Sequence, residues 1–566
     1  MGVEAQTRVV NHTCEERERP RPSDLAATIV VTALLGVMLR LMWILTQTPV
    51  IASDGAEYAR MAEHLFHDHA LIGNFEGPEI LYAPLYSVLI AVSMLVIPNS
   101  EVAAHAISLL CGAALIVMVF MLADYIYGRR TAYICGILAA TQPLLIALSA
   151  SVYNEALYLT IWTSVVYCAV RALDQLRARD CALLGICLGL AYLTRVEAFA
   201  YVPLAIAALL IAGLLRKKVR AAIVGSIVVC SIFAVLASPY IAFFYMSTGN
   251  LRLEAKSDIS YTIARNRLAG MSDLEADYGI GQDLTIKGPL LAPFEFADHT
   301  PYPKPLAAKL STVASMVKHN AQTVYHYLLQ REIGSPVMLG LVVLALFRHT
   351  WSNRRLSHET VLLVMAGSIV LIVLASSTAE FRYFLPIVPL LLLWSGKGVK
   401  DLAQWIKGWE LLRQHRWIPP NVIATALQLS VIGLMLLLSI EGVRRDWLFS
   451  AQRSAAAIAA RDAGLWLAKH EPGPKRIAVM FPVVPYYAKG TLLCFPFGDS
   501  ESTWRYLERR KVDFVVLESN KSEVVPTIGE WITHGVPDPY AQLVYDRTNS
   551  SGDRVVIYRR QARTML

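Results

Sequence analysis

Long apolar runs separated by short basic clusters set the pattern of this chain. The first run, Leu25 to Leu45, is long enough to cross a hydrocarbon core of ~30 Å, and no small-residue cleavage site follows it. It reads as a retained first transmembrane helix behind a polar tail, residues 1–24. Arg129 and Arg130, then Arg171, Arg177 and Arg179, then Arg216, Lys217, Lys218 and Arg220, then Arg348, Arg354 and Arg355, and finally Lys397, Lys400 and Lys407 mark successive loops between apolar runs. The positive-inside rule assigns all of these to the cytoplasm. Base-poor loops at 149–157, 193–199, 246–333 and 378–384 alternate with them and are expected outside, as is 46–101, where Arg60 is the sole Lys or Arg.

Residues 83–98 test that alternation. The stretch has 16 residues and a proline near each end, Pro84 and Pro98, whereas a spanning helix needs ~20 residues. If it crossed, every later basic loop would invert, so it is expected to lie in the outer interface. The result is an α-helical polytopic membrane protein of about 11 transmembrane helices over residues 25–440, with the N-terminus inside. After the last apolar run, 421–440, the pattern changes. QRSAAAIAARDAGLWLAKH has helical periodicity, and RIAVMF, VDFVVLE, AQLVYD and RVVIY are strand-like. Residues 441–566 are therefore expected to form a small extracytoplasmic α/β domain.

Composition agrees with a membrane protein: 55% hydrophobic and 17% charged residues, with a mean hydropathy of +0.45. The net charge of +8 comes from the loop clusters and not from a continuous basic face, so nucleic acid is not an expected partner. The eight cysteines form no CxxC motif or disulfide framework, and no GxGxxG or GxxxxGK[ST] signals a nucleotide site.

SDGAEYARMAEHLFHDH, residues 53–69, places four carboxylates and three histidines directly after the first span. Helical spacing predicts a short amphipathic helix capped near Ser53 or Asp54, with Tyr58, Met61 and Leu65 on its apolar face. His64, His67 and His69 do not share one face, so no metal site is read from them. The sequence requires no cofactor, and a divalent cation is compatible with it. Asp54 as a cap and Glu57 as a first-turn acid are the structural alternatives to a catalytic role.

Asp54 beyond the first span, Tyr58 four positions on, the Pro84-Leu85-Tyr86 segment and the late FRYFLPIVPLLLL element together resemble the GT-C membrane glycosyltransferases. Within them the chain is similar to the bacterial branch related to protein mannosyltransferases and lipid A aminoarabinose transferases. The likeness covers roughly residues 25–440. It departs from the family pattern where Gly55, not a second acid, follows Asp54, and where Ala83 stands in place of a first proline before Pro84.

The resemblance implies transfer of a sugar from a polyprenyl-phosphate donor to a lipid, glycan or protein acceptor at the outer face of the cytoplasmic membrane. On that reading Asp54 is the candidate base, its pKa expected to be raised by partial shielding, and Glu57 is a second catalytic carboxylate. Arg382 and then Arg195 are candidates for the departing phosphate, against the alternative that each snorkels to the interface. Glu155, Tyr58, Tyr383 and Pro84 are expected to shape the site. A transporter or flippase of the same lipid-linked sugar is the competing reading. It would show broken segments in related halves, which the sequence lacks.

Overall fold

The computed structural model describes residues 22–48, 50–51, 53–299, 306–329, 336–377, 380–407, 419–445 and 454–560. Residues 1–21 of the expected tail, parts of the 246–333 loop, and Thr378 and Ala379 lie outside them. Helices make up most of the chain, in a bundle followed by a small mixed domain.

Among the described residues, six helices are long and apolar enough to cross a membrane: 26–47, 100–127, 155–175, 196–215, 219–248 and 353–375. A bent pair, Arg129–Thr141 and Pro143–Ala150, makes a seventh candidate, with 54° between its halves. Helices Ala178–Thr194, Ile387–Lys407 and Pro420–Arg445 pack against these, Pro336–Phe347 packs against the last two, and the four occupy the other places where spans are expected. Ala178–Thr194 and Pro336–Phe347 are short, and Ile387–Lys407 carries charges such as Lys397, Lys400 and Asp401.

The bend has a local cause. Pro143 has no N–H for the Ala139 carbonyl, and the helix breaks there. Arg40, fully buried in the first helix, donates to the carbonyls of Ala139 at 3.4 Å and Ala140 at 3.2 Å. A buried guanidinium thus satisfies backbone groups that no water reaches.

Within 83–98 the helix is Leu85–Ser93, nine residues beginning after Pro84. At ~1.5 Å per residue it spans under half of a ~30 Å core, so it does not cross as a continuous helix. The next helix, Ser100–Tyr127, is capped by the Asn99 side chain, which accepts from Val102 N at 2.9 Å. The large loop expected to be merely polar is itself helical at Lys256–Leu268, Asp273–Tyr278, Pro293–His299 and Leu306–Leu329.

The C-terminal domain begins with helix Ala455–His470, capped by Ser454. Its strands are β1 Arg476–Val479, β2 Thr491–Cys494, β3 Phe514–Glu518, β4 Ala541–Thr548 and β5 Arg554–Arg560, in the order β2-β1-β3-β5-β4. β1 lies parallel to β2 and β3, and β5 is antiparallel to β3 and β4. Four strands fall where their β-branched and aromatic residues placed them. β2 was not anticipated, because TLLC has one β-branched residue and no aromatic one.

This domain is docked on the loops of the bundle by backbone and charge. Asn74 and Phe75 of the first loop run beside Leu492 of β2, with Leu492 N donating to the Asn74 carbonyl at 2.6 Å. Phe497 exchanges backbone hydrogen bonds with Tyr278 and Ile280 of the large loop. Arg60 donates to the carbonyls of Pro485 and Tyr486, while Glu76 pairs with Arg476 and Arg510.

Candidate active site

A cleft with about 940 Å³ of open space lies between the first loop, the loop end of the bundle and the large loop. Asp54, Glu155, Glu197, Asp277 and Glu380 line it together with Arg195, Lys256 and Arg382. The polar groups therefore come from six separate stretches of chain.

Helix Ser53–His67 presents Asp54 from its first turn. The side chain does not cap its own helix as expected. One oxygen accepts from the Tyr82 hydroxyl at 3.1 Å and the other forms an ion pair with Arg382. Arg382 also reaches Glu380 at 2.6 Å from the short helical turn Phe381–Phe384. Burial alone would raise the Asp54 carboxyl, but the Arg382 guanidinium, the Tyr82 hydroxyl and the nearby Lys256 hold it below the usual carboxylate range. The expectation of a raised value is thus corrected: the cation is in direct contact, which shielding arguments from sequence do not foresee.

Arg195 ends helix Ala178–Thr194 and lies between Glu155, at 3.8 Å, and Glu197, at 3.9 Å. Glu155 heads helix Glu155–Gln175, and its Oε2 is buried without a hydrogen-bond partner among the described residues. Lys256, opening the first helix of the large loop, pairs with Glu197 at 2.6 Å. The Tyr383 ring sits among three cations, 4.9 Å from Arg195, 5.3 Å from Lys256 and 5.9 Å from Arg382.

The cleft gathers Asp54, Tyr58, Glu155, Arg195, Arg382 and Tyr383 of the residues singled out from sequence. It does not take in Glu57 or Pro84. Glu57 is fully buried and bonded to Asn74, and Pro84 precedes helix Leu85–Ser93 beside the lining residue Ala83. Tyr82, Glu197, Lys256 and Asp277 were missed. Glu197 stands two positions after Arg195 in the same base-poor loop, a signal that was available. Lys256 and Asp277 sit among many other charges of a polar loop, which offers none. His64 pairs with Asp68 at 2.7 Å, and among the described residues no group of three or more His, Cys, Asp or Glu is arranged to hold a metal ion.

Residues 82–243 match the family described as dolichyl-phosphate-mannose-protein mannosyltransferase. The fold is similar to that of the oligosaccharyltransferase AglB from Archaeoglobus fulgidus, solved with an inhibitory peptide and a dolichol-phosphate. The TM-score is 0.57 at 13% identity, covering 96% of this chain and 74% of that one. It is also similar to ArnT from Cupriavidus metallidurans bound to undecaprenyl phosphate, with a TM-score of 0.53 at 11% identity over 95% of this chain and 98% of that one. The chain has the GT-C fold. No curated protein matches it in sequence. At these identities the GT-C likeness speaks for the fold, and the chemistry rests on the cleft.

Proposed function

We propose that the chain is a membrane glycosyltransferase that moves a sugar from a polyprenyl-phosphate donor to a hydroxyl of a lipid, glycan or protein acceptor. The observation that carries this reading is the Asp54–Arg382 pair in a cleft with two further cations, Arg195 and Lys256. The acceptor oxygen attacks the anomeric carbon as the bond to the phosphate oxygen breaks. The acceptor proton passes to Asp54, and the polyprenyl phosphate leaves with the bonding electrons, its charge met by Arg382 with Lys256 and Arg195 nearby. Every one of these cations is paired with a carboxylate of the cleft. Donor phosphate must therefore displace Asp54 from Arg382, and losing that cation makes Asp54 a stronger base when the donor is present. The free Glu155 Oε2 supplies an acceptor for a sugar hydroxyl.

On this reading the protein lies in the cytoplasmic membrane with its N-terminus inside and the cleft and C-terminal domain outside, the arrangement that the basic loops favour. Membrane lipid surrounds the bundle, and the donor enters from it. The test is mass spectrometry of lipids copurifying with the protein, followed by incubation of the reconstituted protein with the lipid-linked sugar so found and membrane acceptors. Release of polyprenyl phosphate is expected. Binding and transbilayer movement of the intact sugar lipid without release would instead identify a flippase.

A further inference from the structure

The first loop holds a second carboxylate pair that the transfer chemistry does not use. Glu57 and Glu79 are 0% and 3% exposed, and both face Gly73. A Cβ at Gly73 would lie 1.5 Å from Glu57 Oε1 and 2.8 Å from Glu79 Oε2, so the absence of a side chain there is what lets the two carboxyls meet. Glu57 accepts from the Asn74 backbone N–H at 2.7 Å and from its side-chain amide at 2.9 Å. Glu79 Oε1 accepts from the backbone N–H groups of Leu81 at 2.6 Å and Tyr82 at 3.1 Å.

Among the described residues neither carboxyl is in an ion pair. Around them stand Cys494 of β2, Tyr240 of helix Val219–Thr248, and Tyr82 of the first loop. Arg60 reaches the Asn74 side-chain oxygen at 3.4 Å and forms no ion pair with Glu57 or Glu79. Two anions this close, buried and without a cation, do not both stay ionised, and the low-energy state keeps one proton between them. In keeping with that geometry, both carboxyls are pushed up, Glu57 by burial first and then by the charge of Glu79, and Glu79 by burial.

The pair lies between the C-terminal domain and the cleft. On one side Glu57 holds Asn74, whose carbonyl receives Leu492 N. On the other Glu79 holds the backbone of Tyr82, whose hydroxyl donates to Asp54 at 3.1 Å. We propose that Glu57 and Glu79 share one proton and act as positioning residues, fixing the segment 73–82 so that Tyr82 is held against Asp54. Loss of the shared proton places two repelling charges in the loop and withdraws Tyr82 from the carboxylate. The importance of the Tyr82 contact rests on the transferase reading, whereas the shared proton does not.

The test compares wild type, Glu79→Gln and Glu79→Ala as purified full-length protein in lipid nanodiscs. Gln retains an acceptor for Leu81 and Tyr82 and replaces the shared proton with a permanent amide N–H. Ala retains neither. A carboxyl with a raised folded pKa binds more protons folded than unfolded, so its effect on stability turns unfavourable as pH rises above about 4.5, its ordinary value. The wild-type melting temperature should therefore fall more steeply than that of Glu79→Gln between about pH 5 and about pH 9. Amide exchange at Leu81 and Tyr82 should remain slow in the Gln variant and become much faster in the Ala variant. Undecaprenyl phosphate binding should survive in Gln and weaken in Ala. Parallel melting profiles for wild type and Glu79→Gln would overturn the shared proton, and unchanged exchange in Glu79→Ala would overturn the positioning role. Failure of wild type itself to bind undecaprenyl phosphate would count against the transferase reading while leaving the melting comparison intact.

Discussion

Asp54 and Arg382 are separated by 328 positions in the chain and form a direct ion pair in the cleft. Each is half of a different requirement of sugar transfer, a base for the acceptor and a cation for the phosphate. In the structure each occupies the other.

Replacing Asp54 by Asn removes the base and retains the shape. The side chain does not cap its own helix, so folding should survive the change. Sugar transfer measured at equal protein level should fall by ~100- to 10,000-fold while donor binding persists. The stability that the pair contributes is present above about 3.8, the ordinary Asp value, and is lost as pH falls through the lower folded value. Melting curves of wild type and Asp54→Asn should accordingly converge in strong acid. Turnover near that of wild type would remove Asp54 from the mechanism.

Arg382→Ala should weaken binding of undecaprenyl phosphate, read by native mass spectrometry or ligand-induced melting shifts. Arg382→Lys should recover part of the loss, because a point charge does not reproduce the planar fork. Unchanged affinity in the Ala variant would leave Arg382 as a partner of Asp54 and Glu380 alone.

Lys256 is a residue of the large loop that meets the same ring as Arg195 and Arg382. Lys256→Gln should lower donor affinity by about tenfold, the effect of one charge-assisted hydrogen bond. Glu197→Gln, which frees Lys256 from its partner, should shift affinity the other way. Equal affinities in all three proteins would confine this pair to holding the loop.

Arg40→Leu should destabilise the bundle by ~1–3 kcal/mol, because the carbonyls at the break before Pro143 are left without a donor in an apolar interior. The measurement is thermal melting in detergent. Arg40→Lys should recover part of the loss, and a melt unchanged in the Leu variant would show that the bend satisfies itself.

Asn99 is exposed between the short helix Leu85–Ser93 and the helix it caps. A cysteine placed there by Asn99→Cys, with native thiols replaced, should react with an impermeant reagent from outside the cell. Labelling from the cytoplasm alone would invert the proposed orientation.

Much of the outline was legible along the chain, for a physical reason. Partition into a membrane depends on runs of apolar residues, a local property that one-dimensional reading recovers. The helix at Ser53–His67 carried a helical period and strands β1, β3, β4 and β5 lie in stretches rich in β-branched and aromatic residues, whereas β2, TLLC, has one β-branched residue and no aromatic one. Asp54 and Arg382 were each conspicuous as charges at the ends of apolar segments. Their pairing was not, and the pairing reverses the expected shift of the Asp54 carboxyl. Glu57, an ordinary first-turn acid in sequence, lies buried against Glu79 because Gly73 leaves room for both. Lys256 and Tyr82 enter the cleft only because the large loop and the first loop fold back over the bundle. Hydropathy and charge determine where each segment lies relative to the membrane. Which carboxylate meets which cation is decided by packing between segments hundreds of residues apart, and no local pattern encodes that.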